Sequence, residues 1–229
     1  MLEKELQFER GAFFSLNGSN SIYWDNFFFI FTNPLTWLFF FFCFLWVFSY
    51  KKNWKEVVCV IIMVGLLILL CDRISSGFFK PYFHRFRPSH HPDFMNQVKI
   101  VFNKRGGNYG FISGHATNLF GLATFFTMIF RNKLFTFTIF TFAVLIAYSR
   151  IYLGLHFISD VVAGAIVGSL IGYFVYRIYQ YSRYKWLKSE KTSAGLVFSP
   201  WEPYFLCVVF AAHLTILLLF SNQLVKVYY

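Results

Sequence analysis

SRIYLGLHFISDVVAGAIVGSLIGYFVYRI, residues 149–178, decides the fold. It opens on Ser149, Arg150, His156 and Asp160, and from about Phe157 to Ile178 it runs almost without charge. Such a run is long enough to cross a hydrocarbon core as a helix. Gly164, Gly168 and Gly172 recur every four residues along it, a small-residue stripe that lets two membrane helices pack closely. A cation, a histidine and a carboxylate at the end of a membrane helix are costly, so the cluster signals function.

The same pairing of polar cluster and apolar run recurs. Lys80-…-Arg87-Pro88 and Ser113-Gly114-His115 also lie between apolar stretches. Of 229 residues, 57% are hydrophobic, 34 are Phe and only 14% are charged. A soluble domain carries about a quarter charged residues. The expected fold is therefore all-α: a multi-pass transmembrane helical bundle of about six spans, built as one membrane domain over residues 1–229. Spans are expected at about Leu35–Tyr50, Val57–Phe79, Ser113–Phe130, Leu134–Tyr148, Phe157–Ile178 and Tyr204–Phe220. The first starts nearer Phe27 if the chain kinks at Pro34. Leu2, Leu6 and Phe13, interspersed with charge, suggest an N-terminal interfacial amphipathic helix, followed by an aromatic approach segment Ile22–Phe31. Phe83–Ile112 reads as a polar loop, and a loop that long points to function. The Phe and Trp richness reads as lipid-facing surface and interfacial belt.

The net charge of +11 raises nucleic acid as a partner, but the basic residues sit in short loops beside spans, where lipid headgroups explain them. Counting six spans puts both termini and all three polar clusters on one face. The other face carries Lys51, Lys52, Lys55, Arg131, Lys133, Arg177, Arg183, Lys185, Lys188 and Lys191, which makes it cytoplasmic by the positive-inside rule. Cys43, Cys59, Cys71 and Cys207 lie in apolar runs with no Cys-x-x-Cys pair and read as small buried hydrophobes. The polar, acidic start shows no cleavable signal peptide.

The three clusters suit phosphoryl chemistry. Lys80, Arg87 and Arg150 supply fixed charge for a phosphate dianion, the arginines two oxygens at a time. Ser113 and the Gly114 N–H stand at the expected start of a helix, where unpaired N–H groups bind anions. His156 and Asp160, four apart, would share one helix face, the carboxylate holding one ring nitrogen as N–H and leaving the other to attack phosphorus. His115, from another helix, suits the general acid. Surrounding cations should lower a histidine pKa while Asp160 raises that of His156, which gives a bell-shaped pH–rate profile.

Lys-x6-Arg-Pro, Ser-Gly-His and Ser-Arg-x5-His-x3-Asp, in that order, resemble the motifs of the type 2 phosphatidic acid phosphatase superfamily, which holds membrane lipid phosphatases and, more distantly, vanadium haloperoxidases. The resemblance covers residues 72–178, the expected phosphatase core. It implies an all-helical bundle and hydrolysis through a phosphohistidine with no metal or cofactor. It maps the nucleophile onto His156, the acid onto His115, the orienting carboxylate onto Asp160, and phosphate contacts onto Lys80, Arg87, Ser113, Gly114 and Arg150. The family's middle motif usually begins with Pro where this chain has Ile112, a change expected to alter geometry slightly.

The implied partner is a phosphorylated membrane lipid in a bilayer, with no oligomeric state indicated. Related enzymes act on phosphatidic acid, phosphatidylglycerol phosphate, undecaprenyl diphosphate or lipid A phosphates, and the small single-loop chain resembles bacterial members acting on the last two. The site would face the periplasm or the cell exterior from the bacterial inner membrane. Two rivals are a phosphorylated-lipid binder or transporter without turnover, and a vanadate-dependent haloperoxidase. Binding alone needs no His156–Asp160 pair, and the haloperoxidases are soluble. His84, His90, His91 and Asp93 bring metal-ligating types into one loop, but their spacing matches no standard ligand set. Substrate contact by His84 or Arg85, an ion pair or supporting role for Asp72-Arg73, and polar packing for His213 complete the expectations.

Overall fold

The computed structural model describes residues 2–186, 199 and 201–228, with side chains within 9–227. Its helices are α1 (Leu2–Leu16), α2 (Ile22–Phe31), α3 (Leu38–Ser49), α4 (Trp54–Asp72), α5 (Lys80–Phe83), α6 (Gly114–Phe130), α7 (Lys133–Tyr152), α8 (Ile158–Trp186) and α9 (Trp201–Tyr228). Asparagine sets several of the starts. The Asn53 side chain accepts the Lys55 N–H at 3.0 Å ahead of α4, and Asn132 accepts that of Phe135 at 2.9 Å ahead of α7. Between α2 and α3, Asn33-Pro34 opens a 3₁₀ turn and the two helices bend by 68°. From α4 the chain continues through a seven-residue π-helical stretch, Arg73–Phe79, into α5.

Four segments are long and apolar enough to cross a membrane: Trp54–Phe83, Lys133–Tyr152, Ile158–Trp186 and Trp201–Val227. The bent pair Ile22–Phe31 and Pro34–Ser49 makes a fifth if it counts as one span. The expected third span is α6, which has 17 residues.

The glycine stripe does what its spacing implies. A Cβ on Gly168 would stand 2.1 Å from the Thr117 carbonyl oxygen, one on Gly172 2.3 Å from that of Gly121, and one on Gly164 2.7 Å from that of Ser113. Backbone therefore meets backbone where Ser113 to Gly121 of the α6 segment runs beside Gly164 to Gly172 of α8. On the other side of α6, Gly121 faces Leu67 and Cys71 of α4. Phe31, Trp37, Phe142 and Phe210 join α2, the 3₁₀ turn before α3, α7 and α9 through ring contacts, with Trp37 and Phe142 at 4.4 Å. Phe39, Phe41 and Phe42 on α3, Ile61 and Ile62 on α4, and Val208 and Leu219 on α9 face outward, as a lipid surface requires. Part of the aromatic richness is thus core, beyond the lipid-facing role expected for it.

The basic end of the bundle is tied by buried ion pairs. Arg183 Nε lies 2.9 Å from Glu56, which also accepts the Tyr179 hydroxyl, and Lys52 lies 2.8 Å from Glu202. Lys188 and Lys191 lie outside the described residues. Asp72 and Arg73 form no ion pair with each other, and both are exposed. Cys59, Cys71 and Cys207 are buried thiols, and Cys43 is partly exposed.

Phe13 shows that the first helix, expected at the interface, packs against the bundle. It is fully buried, packed on Phe157 at 5.3 Å between ring centres. Leu2 and Leu6, the other residues of that expected face, have side chains outside those described.

Gly168→Ala should destabilise the solubilised protein by about 1–3 kcal/mol, because a carbonyl oxygen has to move. Gly65→Ala, with no atom within 4 Å of the added carbon, should leave the thermal midpoint unchanged or raise it.

Candidate active site

The polar loop is built rather than structureless. Arg87 N–H donates to the Asn108 carbonyl at 2.9 Å, and Gly110 N–H to that of Arg85 at 2.8 Å. Phe86 and Tyr109 thereby form an antiparallel bridge. Side chains alternate along such an extended stretch. Arg85 and Arg87 turn inward, 5% and 9% exposed, and Phe86 turns out.

His156 reaches the same place from α7. Leu155 and His156 both donate their N–H to the Arg150 carbonyl, at 2.9 and 3.2 Å. Gly154 makes this turn at φ +70°, with Val98 and Lys99 too close to admit a Cβ. His156 therefore precedes α8, so it and Asp160 do not share a helix face as the spacing suggested. Asp160 is instead the third residue of α8 and reaches back over the helix start. Its Oδ2 accepts the Phe157 N–H at 3.0 Å, as in the reciprocal half of a capping box, and lies 3.3 Å from His156 Nδ1.

Arg87 Nη1 lies 2.8 Å from His156 Nε2 and 2.9 Å from the Leu155 carbonyl. A guanidinium only donates. Nε2 must therefore present its lone pair, and Nδ1 carries the proton toward Asp160. Burial, and after it the fields of Arg87, Arg150 and Lys80, hold His156 well below the usual histidine range. The Gly110 backbone contact pulls it upward and is outweighed, so the rise expected from Asp160 does not appear.

The remaining candidates surround this pair. Ser113 precedes α6, donates its N–H to the Asp160 carbonyl at 2.9 Å and is fully buried, as is Ile112 beside it. Lys80 Nζ donates to Ser76 Oγ at 2.9 Å, and Gly114 passes close to Ser75 Oγ. Arg150 is 6% exposed and donates to Thr32 Oγ1 at 3.0 Å. His115, second in α6, is half-buried and within electrostatic reach of Arg150, His156, Lys104 and Arg87. Ser75 Oγ, Ser113 Oγ and the Nε atoms of Arg87 and Arg150 are buried with no partner. Unsatisfied buried groups are rare, and four of them beside clustered cations suit an anion with several acceptor oxygens.

Arg85 does not face this space. It donates to Asp160 Oδ1 at 2.9 Å and Ser159 Oγ at 2.6 Å, and pairs with Glu9. Its position two residues before Arg87 was the available signal. Glu9, 76 positions away, offered none. Lys104, also unforeseen, sits over the Phe29 ring at 5.1 Å, its pKa lowered by burial and by Arg150. A groove of about 530 Å³ opens beside the site, lined by residues that include Ser76, Lys80, His84, Arg87, Asn108 and Tyr109. His90 is bonded to Ser89, and His91 stacks on Phe94 at 4.0 Å. Among the described residues no three His, Cys, Asp or Glu side chains converge as metal ligands. His213 packs on Trp37 at 4.8 Å, the expected polar packing.

A ¹⁵N NMR titration of His156 in detergent should find the ring neutral, with the proton on Nδ1, at pH 6.5 and below. A lowered pKa means the uncharged form persists as pH falls past the ordinary histidine value.

Residues 56–184 match the PAP2 superfamily. Lipid A 4'-phosphatase of Porphyromonas gingivalis is 49% identical over 186 residues, 81% of this chain and 79% of that one. The protein of the same name from Bacteroides thetaiotaomicron is 37% identical over 163 residues, 71% and 72% of the two chains. The crystal structure of Aquifex aeolicus LpxE superposes with a TM-score of 0.55 at 25% identity, over 74% of this chain and 95% of that one. The resemblance read from the three motifs is thereby borne out, and the chain belongs to the PAP2 superfamily.

Proposed function

We propose that the chain removes the 4'-phosphate of lipid A through a phosphohistidine on His156. That it is a lipid phosphate hydrolase follows from its superfamily and relatives. The 4'-phosphate is suggested by the names of the relatives, and the phosphohistidine is supported by one observation: the Arg87–His156–Asp160 chain, which turns the Nε2 lone pair away from Asp160 as the one to react.

In the first step Nε2 attacks phosphorus, the bond from phosphorus to the sugar oxygen breaks, and His115 gives its proton to that oxygen. Asp160 accepts the Nδ1–H and stabilises the ring as it gains positive charge. Arg87, Arg150 and Lys80 balance the charge on the equatorial oxygens, and Ser113 with the first N–H groups of α6 supplies further donors. In the second step water attacks phosphorus, His115 takes its proton, and the P–N bond breaks to release phosphate. With these cations in place, no step is routed through a metal. The sugar would lie in the groove over Tyr109, whose ring contacts His84 at 4.9 Å, since aromatic faces suit the apolar side of a sugar ring.

If α6 counts as a span beside the other five, the site lies at the end opposite the basic residues. The positive-inside rule then turns it to the periplasm. An undecaprenyl diphosphate substrate is the second reading, which the names of the relatives disfavour.

Solubilised protein should release phosphate from bisphosphorylated lipid A and leave the 1-phosphate in place, as read by mass spectrometry of the product. His156→Ala should lower the rate by about 10³-fold or more, and His115→Ala by about 10²–10⁴-fold. Acid-labile phosphate should be trapped on His156. Loss of the 1-phosphate instead would overturn the substrate. The profile of kcat/KM should stay bell-shaped, but with no acid limb from His156 near pH 6.5, because the free enzyme keeps that ring neutral well below this value.

A further inference from the structure

We propose that α1 belongs to the catalytic apparatus: Glu9, acting through Arg85, is a positioning residue that holds Asp160 against His156. This rests on the phosphohistidine reading above.

Asp160 is fully buried, and both its oxygens are engaged. Oδ2 takes the Phe157 N–H and faces His156, which leaves Oδ1 to Arg85 Nη1 at 2.9 Å. Arg85 in turn is a buried guanidinium that needs its own partners, because a buried charge is tolerated only when paired and hydrogen-bonded. Its Nη1 also reaches Ser159 Oγ at 2.6 Å, its Nη2 reaches Glu9, and its face lies over the Phe157 ring at 4.9 Å. Glu9 closes the ring of contacts. Its Oε2 accepts the Ser159 N–H at 2.9 Å and its Oε1 the Ser159 hydroxyl at 2.7 Å. One carboxylate on α1 thus grips both the first turn of α8 and the arginine that faces Asp160. Phe13, one turn further along α1, packs on Phe157 and fixes the helix in place.

The sharing of Arg85 matters chemically. A guanidinium divided between two carboxylates does not neutralise either of them. Asp160 therefore keeps enough negative field to support His156 as it becomes cationic during attack. With Glu9 removed, Arg85 would turn wholly to Asp160 or swing away from it, and either change weakens the nucleophile. Among the described residues, Arg85 and Glu9 bond to Asp160, Ser159 and each other, and not to Lys80, Ser113, Gly114 or Arg150, the groups proposed to hold phosphate. Their effect should therefore appear in turnover rather than in binding.

The test uses the full chain in detergent with bisphosphorylated lipid A, and inorganic phosphate as a competitive probe of the pocket. Assays are run well below the unfolding midpoint of each variant. Glu9→Gln should lower kcat about ten-fold with KM and phosphate inhibition within about two-fold, and Arg85→Met should lower kcat about 10²-fold. The double variant should be no slower than Arg85→Met alone, and Arg85→Lys should restore part of the loss. A wild-type kcat in Glu9→Gln overturns the inference, as do strictly additive losses in the double variant. Loss expressed as raised KM and weakened phosphate inhibition also overturns it, by making Arg85 a substrate contact. If Arg85→Met fails to fold, Glu9→Gln decides alone. An inactive His156→Ala beside an unaffected Glu9→Gln rejects this inference and leaves the phosphohistidine reading standing, whereas an active His156→Ala rejects both.

Discussion

A carboxylate removed from water has to be met on each of its oxygens, and Asp160 imposes that demand on every segment around it. Arg85 and the Phe157 N–H satisfy it directly, and His156 is the third partner. Gly110 leaves room for it, since a Cβ there would stand 2.9 Å from Oδ2. The Asp160 carbonyl accepts the Ser113 N–H, which joins the start of α6 to the start of α8. Removing one partner of a buried charge pair costs about 3–5 kcal/mol, so the groups around Asp160 stand or fall together. The placing of His156 and of the first turn of α8 is in this sense a consequence of one buried charge.

The helices beneath supply stiffness. Glycine brings α6 and α8 into backbone contact, so the two helix starts that carry Ser113, His115 and Asp160 are held by carbonyl packing rather than by flexible side chains. Interiors at this density do not deform gradually. The ion pairs of Glu56 and Glu202 fasten the far end, where α4, α8 and α9 enter from the basic loops.

The reacting and phosphate-holding candidates were legible because their types, order and membrane placement are unusual together. Arg87, His156 and Asp160 meet directly, with Ser113, Lys80, Arg150 and His115 around them. The glycine stripe was legible because period four has one common meaning. Other features depend on contacts distant in sequence. The clip between Arg85–Arg87 and Asn108–Gly110 folds the loop on itself, and nothing in its composition announces that pairing. Glu9 carries no motif of its own, and its value lies in Arg85. His156 seemed to sit on α8 because spacing alone cannot tell a helix face from a helix cap. The span count was blurred by the 68° bend at Pro34 and by the 17 residues of α6.

Arg87 stands directly on the lone pair that the chemistry needs. In the proposed chemistry the guanidinium would act as a sheath over the reactive nitrogen, drawn off only by a stronger acceptor than imidazole. A phosphate dianion is such an acceptor; a neutral ester or a stray electrophile is not. In the proposed mechanism, discrimination for charge would therefore begin at the nucleophile itself, before any part of the lipid has been recognised, and the residue that arms the histidine against phosphate would be the one that disarms it against everything else.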